Sequence, residues 1–311
     1  MNYLLLAAGF VLLIKGADFF VDGSAALAKR MKVPSLIIGL TVVAMGTSLP
    51  ECSVSVSASL QNKNELAVAN AVGSNIFNLM AICGLCALFC PLAVQKSTLK
   101  KEFPFSIIAA AILMGLGVSG MVLGHVDGVI LLVFFALFIA YMIYSALSAR
   151  KNSENCNEDE YKTLPAWRCL LYIVGGAAAI AFGGSLVVDS ASAIAAHFGL
   201  SDNLIGLTVV AFGTSLPELV TSVVAARKNE MDMALGNVIG SNIFNVLFVL
   251  GIAAAISPIT FITENIIDTI LFIAMSIMVL VFCIPKKKLV RWQGLIMLIV
   301  YTAYVVYICK R

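Results

Sequence analysis

Apolar residues fall in ten long runs separated by short polar breaks, near 3–27, 35–60, 66–92, 103–122, 126–148, 168–195, 203–226, 232–257, 264–284 and 290–309. A helix needs roughly 20 residues to cross a bilayer. The pattern therefore predicts an all-α integral membrane protein of ten spans. The first run does not read as a removable signal peptide: no basic segment precedes it, and it contains Lys15, Asp18 and Asp22.

Composition agrees with that pattern. The 311 residues are 61% hydrophobic and only 12% charged, with a mean hydropathy of +1.01; a soluble domain carries about 25% charge. A net charge of +3 gives no reason to expect a nucleic-acid partner. How the charge is distributed says more. Assigning the loops alternately to two sides gathers Lys29, Arg30, Lys32, Lys96, Lys100, Lys101, Arg150, Lys151, Lys162, Arg168, Arg227, Lys228, Lys286, Lys287, Lys288 and Arg291 on one side. Lys63, Lys310 and Arg311 fall on the other, and Lys15 sits within the first run. By the positive-inside bias the richer side is cytoplasmic, which puts both termini outside a cell membrane. Cys83, Cys86 and Cys90 resemble a metal spacing, but no further cysteine or histidine completes a site. They read as small buried hydrophobes.

The chain repeats itself. Gly39–Glu51 reads GLTVVAMGTSLPE and Gly206–Glu218 reads GLTVVAFGTSLPE. Without a gap, Asn70 matches Asn237, and the GSNIFN of Gly73–Asn78 matches that of Gly240–Asn245. Gly16 matches Gly183, and Asp22 matches Asp189. Two five-span halves follow, 1–148 and 167–311, joined by a cytoplasmic linker at 149–166. Five is odd, so the second half enters the membrane inverted. Inverted repeats characterise secondary transporters, whose substrate sites lie between the repeats.

Glu51 and Glu218 sit within apolar runs, where a carboxylate costs about 2.5–3.5 kcal/mol and marks a functional site. Pro50 and Pro217 precede them and clash with the carbonyls of Gly46 and Gly213, so each span is expected to break there. Thr47 and Ser48 lie four and three positions before Glu51, as Thr214 and Ser215 do before Glu218. Asn70, Ser74 and Asn78 form a four-residue stripe, repeated by Asn237, Ser241 and Asn245. Asn75 and Asn242 lie off that stripe and could serve helix packing. The inventory is hard oxygen, which suits calcium, sodium or magnesium. A protein-lined cage with two carboxylates favours calcium.

These paired segments resemble the alpha repeats of the calcium/cation antiporter superfamily, in its sodium/calcium exchanger branch and prokaryotic members. The resemblance implies the exchanger fold of ten helices, with four central sites between the second, third, seventh and eighth spans. It implies calcium at Glu51 and Glu218, with backbone carbonyls from Thr47 and Thr214. Sodium would be held by Ser48, Ser74, Ser215 and Ser241, with carbonyls from Ala44 and Ala211, and Asn78 and Asn245 would fill the remaining corners. It implies sodium-driven calcium exchange by alternating access, with the first and sixth spans sliding. Calcium, sodium and membrane lipid are the partners, with no cofactor. Potassium-dependent relatives carry aspartate where this chain has Asn245, so potassium dependence is not expected.

Other readings stand beside this one. Two neighbouring buried carboxylates could exchange protons for calcium. An intramembrane enzyme using Ser48 or Ser215 lacks a suitable base, and a passive channel would not couple two ions. Asp22 and Asp189 read as packing or mouth residues, and His125 and His197 as solvated. The acidic run Glu154–Glu160 reads as a plain linker rather than a calcium loop.

Overall fold

The computed structural model describes residues 2–61, 65–153, 164–199 and 211–311. They form helices joined by turns, with two short ladders. The helices are α1 (Asn2–Met31), α2 (Ser35–Thr47), α3 (Leu49–Leu60), α4 (Ala67–Phe89), α5 (Lys96–Gly120), α6 (His125–Lys151), α7 (Ala166–His197), α8 (Ala211–Thr214), α9 (Leu216–Arg227), α10 (Met231–Ile256), α11 (Thr263–Cys283) and α12 (Arg291–Lys310). Among the described residues, eight are long and apolar enough to cross a membrane, or nine if the bent pair of α2 and α3 is counted as one span. The expected seventh run, 203–226, begins in residues outside the described set and continues as α8 and α9.

The prolines act as expected. α2 and α3 meet at an angle of 49°, and Ser48 between them leaves helical geometry at φ −86°, ψ 12°. Ser215 does the same between α8 and α9 at φ −90°, ψ 4°. Each proline then occupies the first turn of the following helix, where its missing N–H costs no intrahelical bond. Three further irregularities were not expected. Gly39–Val43, Phe77–Ile82 and Asn245–Val249 are π-helical, each an inserted residue of the kind that re-aims side chains at functional sites.

The molecule divides into two compact units, Met1–Pro50 with Tyr141–Asn237 and Glu51–Ala140 with Val238–Arg311. Each therefore draws on both sequence halves. In the first unit α1 packs along α7. A Cβ on Gly9 would lie 3.0 Å from the Gly183 carbonyl, one on Gly16 3.0 Å from that of Gly176, and one on Gly23 3.0 Å from that of Cys169. Contacts that advance along one helix and retreat along the other make the two antiparallel, with the small residues allowing close backbone approach.

In the second unit, β1 (Leu92–Ala93) pairs antiparallel with β4 (Lys288–Leu289). β2 (Val122–Leu123) pairs with β3 (Ile259–Thr260) in the same way. Gly84 of α4 abuts Gly294 of α12, and Gly128 of α6 abuts Gly251 of α10. Phe103, Phe261 and Phe272 are fully buried in this unit.

Candidate functional site

In the first unit the polar centre forms where α2 ends and α9 begins. Buried Ser48 donates its hydroxyl to Oε1 of buried Glu218 at 2.7 Å. Asn237 of α10 donates Nδ2 to Ser222 Oγ at 2.9 Å and makes a long 3.5 Å contact to the Glu218 carbonyl. Thr47 donates to Asn237 Oδ1 at 3.1 Å. The buried face of α9 is set by helical spacing: Pro217, Glu218, Thr221, Ser222 and Ala225 all point inward. Glu218 Oε2 and Thr221 Oγ1 make no hydrogen bond among the described residues. A buried carboxylate with an open oxygen calls for a cation.

The second unit repeats the asparagine–serine part of this arrangement around buried Glu51, while the hydroxyl at its carboxylate comes from a different repeat position. Ser74 lies 3.4 Å from Glu51 Oε1. Asn70 donates to Ser55 Oγ at 3.2 Å and makes a 3.5 Å contact to the Glu51 carbonyl. Asn70, Ser55 and Glu51 stand in the sequence repeat opposite Asn237, Ser222 and Glu218. The same bonds thus recur at matched positions. Beside them is a buried amide cluster in which Asn75 donates to the Asn242 carbonyl and Asn245 donates to Asn75 Oδ1, both at 3.1 Å. Asn78 and Ser241 are buried, and neither amide atom of Asn78 nor Ser241 Oγ makes a hydrogen bond among the described residues.

Of the other expected site residues, Thr214 and Ser215 are buried at the α8–α9 break. Buried Ala44 directs its carbonyl toward the Ser48 N–H at 3.1 Å. Ala211 opens α8. Ser55 and Ser222 were not among the expected site residues. Their signal was present: each lies four residues after a glutamate and matches its partner across the repeat. Among the described residues no three His, Cys, Asp or Glu side chains gather as a metal cluster. The oxygens on offer in each unit are one carboxylate with hydroxyls and amides.

Asp22 and Asp189, expected as packing or mouth residues, are both exposed, and Asp22 pairs with Lys228 at 2.7 Å. His125 is exposed as expected but also bonds the Ala255 carbonyl at 2.9 Å. Cys83 and Cys86 are buried free thiols. The acidic run Glu154–Glu160 lies outside the described residues.

Residues 1–144 and 169–310 match the family described as sodium/calcium exchanger protein. The sodium/calcium exchanger MaX1 of Methanosarcina acetivorans is 32% identical, covering 98% of either chain. The inner membrane protein YrbG of Escherichia coli is 38% identical over 82% of this chain and 79% of its own. A solved structure of the sodium-calcium exchanger NCX_Mj, soaked with 2.5 mM Na+ and 1 mM Sr2+, superposes with a TM-score of 0.86 at 32% identity, covering 98% of this chain and 97% of that one.

Proposed function

The chain belongs to the sodium/calcium exchanger protein family and is a membrane antiporter of sodium and calcium, and from that premise we propose that Glu51 and Glu218 are the carboxylates that bind its calcium. The observation that carries the assignment is the duplication of the asparagine–serine bonds beside two buried glutamates. Each glutamate is buried, each has a serine hydroxyl at one carboxylate oxygen, and each has its carbonyl beside an asparagine that is itself held by a serine. Neutral hydroxyl and amide groups beside a buried carboxylate suit a hard cation.

The remaining ligands in this reading are Ser48, Ser74, Ser215, Ser241, Asn78 and Asn245, with main-chain carbonyls from Ala44, Thr47, Ala211 and Thr214. Sodium and calcium compete for these oxygens. The chain holds ten spans as two inverted five-helix repeats, 1–148 and 167–311, joined by the linker 149–166. Antiparallel packing of the matched helices α1 and α7 supports the inversion. α1 and α7 slide to alternate access. The protein lies in the plasma or inner membrane with both termini outside, in keeping with the charge asymmetry. The family match speaks for sodium rather than protons as the driving ion. Asparagine at 245 removes any need for potassium.

The test is calcium uptake into reconstituted vesicles under an imposed sodium gradient, with and without potassium. Wild type takes up calcium in both. Glu51→Gln and Glu218→Gln keep side-chain volume but remove charge, and each lowers uptake about 100-fold or more, as expected for a buried charge partner lost. Unchanged uptake in either variant would remove that residue from the site.

A further inference from the structure

We propose that Asn75 is a positioning residue that turns the Asn245 amide so that its oxygen, rather than its NH2 group, faces the transported cation. The proposal rests on the reading that Asn245 is an ion ligand. An asparagine side chain has two ends of nearly equal size, one of which accepts and ligates while the other donates. Shape alone does not choose between them; hydrogen bonds do.

The choice begins at a main-chain carbonyl. The Asn242 oxygen can only accept, and Asn75 presents Nδ2 to it at 3.1 Å. That leaves Asn75 Oδ1 on the opposite side, where it too can only accept. It takes a hydrogen from Asn245 Nδ2, also at 3.1 Å. The same Nδ2 lies 3.5 Å from Ser74 Oγ. With its NH2 group so committed, Asn245 turns Oδ1 away, and this buried oxygen makes no hydrogen bond among the described residues. Asn75 and Asn245 are both 0% exposed, so water does not compete for these bonds. Acceptor character is passed from a backbone carbonyl, through two amides, to an oxygen able to meet a cation.

The repeat shows that this is more than packing. Asn242 is the mate of Asn75 and Asn78 the mate of Asn245, yet Asn242 Oδ1 and both Asn78 amide atoms make no hydrogen bond among the described residues. One corner asparagine is oriented in advance and the other is not. A side chain that merely filled space would have no reason to form the relay in one half alone.

An aspartate at position 245 has oxygen at both ends and needs no orienting partner. The experiment uses that difference: sodium-driven calcium uptake by the reconstituted full chain carrying Asn75→Leu, Asn245→Asp or both. Asn75→Leu raises the half-saturating calcium concentration about tenfold in the Asn245 protein and less than about twofold in the Asn245→Asp protein, the coupling expected of touching residues. An equal loss in both backgrounds would assign Asn75 to packing and overturn the proposal. So would no loss in either. If Asn75→Leu does not yield folded protein, Asn75→Ala gives the same comparison. Asn245→Ala separates this idea from the one beneath it. Wild-type uptake by Asn245→Ala overturns the ligand assignment and the relay together, whereas impaired uptake beside a normal Asn75→Leu overturns the relay only.

Discussion

The hydroxyl of Ser48 is 2.7 Å from the carboxylate of Glu218, although 170 residues separate them in the chain. The first GTSLPE segment therefore serves the glutamate of the second. A hydrogen bond to a charged group contributes about 1.5–3 kcal/mol. Ser48→Ala is expected to raise the half-saturating cation concentration by roughly 10- to 100-fold, with Ser48→Thr retaining most of the wild-type value. Titrations of calcium uptake against sodium and calcium check both.

Asn70 and Asn237 make matched bonds but differ in burial. Asn237 is fully buried, whereas Asn70 is partly exposed and water can replace its partners. Truncation strands Ser222 in one case and Ser55 in the other, and Asn237 also loses its bond from Thr47, whose hydroxyl keeps the Val43 and Ala44 carbonyls. Each stranded buried group costs about 1–3 kcal/mol. Asn237→Ala should thus lower the unfolding midpoint in detergent clearly more than Asn70→Ala. Equal midpoints would show that the extra Thr47 bond contributes nothing.

Much of this architecture is legible in the chain's own pattern. The hydrophobic runs place the eight long apolar helices, and Pro50 and Pro217 mark the breaks because a missing N–H is visible in sequence. The repeat brings the matched glutamates and asparagines to notice. Partners are harder. Periodicity sets which face a residue occupies but not which helix that face meets, so Ser48 reads as a neighbour of Glu51 in its own segment, and its bond to Glu218 is not visible. The π segments carry no compositional mark. The one starting at Phe77 interrupts the four-residue stripe between Ser74 and Asn78, which is why Asn75, off the stripe, reads as a packing residue. The two ladders, at two residues per strand, are too short for alternation to reveal.

Arg311 holds Asp268 through two bonds, Nη1 to Oδ1 at 3.0 Å and Nη2 to Oδ2 at 3.1 Å. The Asp268 side chain is 9% exposed, so removing the guanidinium leaves a buried carboxylate uncompensated. Arg311→Ala is expected to destabilise by about 3–5 kcal/mol. Arg311→Lys loses part of this, because an ammonium cannot reproduce the planar fork. Adding Asp268→Asn to Arg311→Ala removes the stranded charge and should recover most of the loss. Unfolding in detergent across all four proteins measures the coupling.

Lys228, just beyond α9, reaches Asp22 Oδ1 at 2.7 Å and the Asp18 carbonyl at 3.0 Å, both on α1. The carboxylates are 51% and 35% exposed, so the pair contributes at most about 1 kcal/mol to folding. The repeat places Asp189 opposite Asp22 but Gln61 opposite Lys228, so the matching bridge lacks its cation. If α1 slides during exchange, a bridge from α1 to the end of α9 favours whichever state contains it. Lys228→Met should then leave the unfolding midpoint nearly unchanged while shifting the balance of states by up to about fivefold. Apparent affinity scales with the fraction of protein in the competent state. Half-saturating calcium measured from the two membrane faces should therefore move in opposite directions, in right-side-out and inside-out vesicles respectively. High salt screens the exposed pair, so it should produce the same shift in wild type and none in the variant. Two unchanged affinities would mean that α1 keeps its place against α9 throughout the cycle.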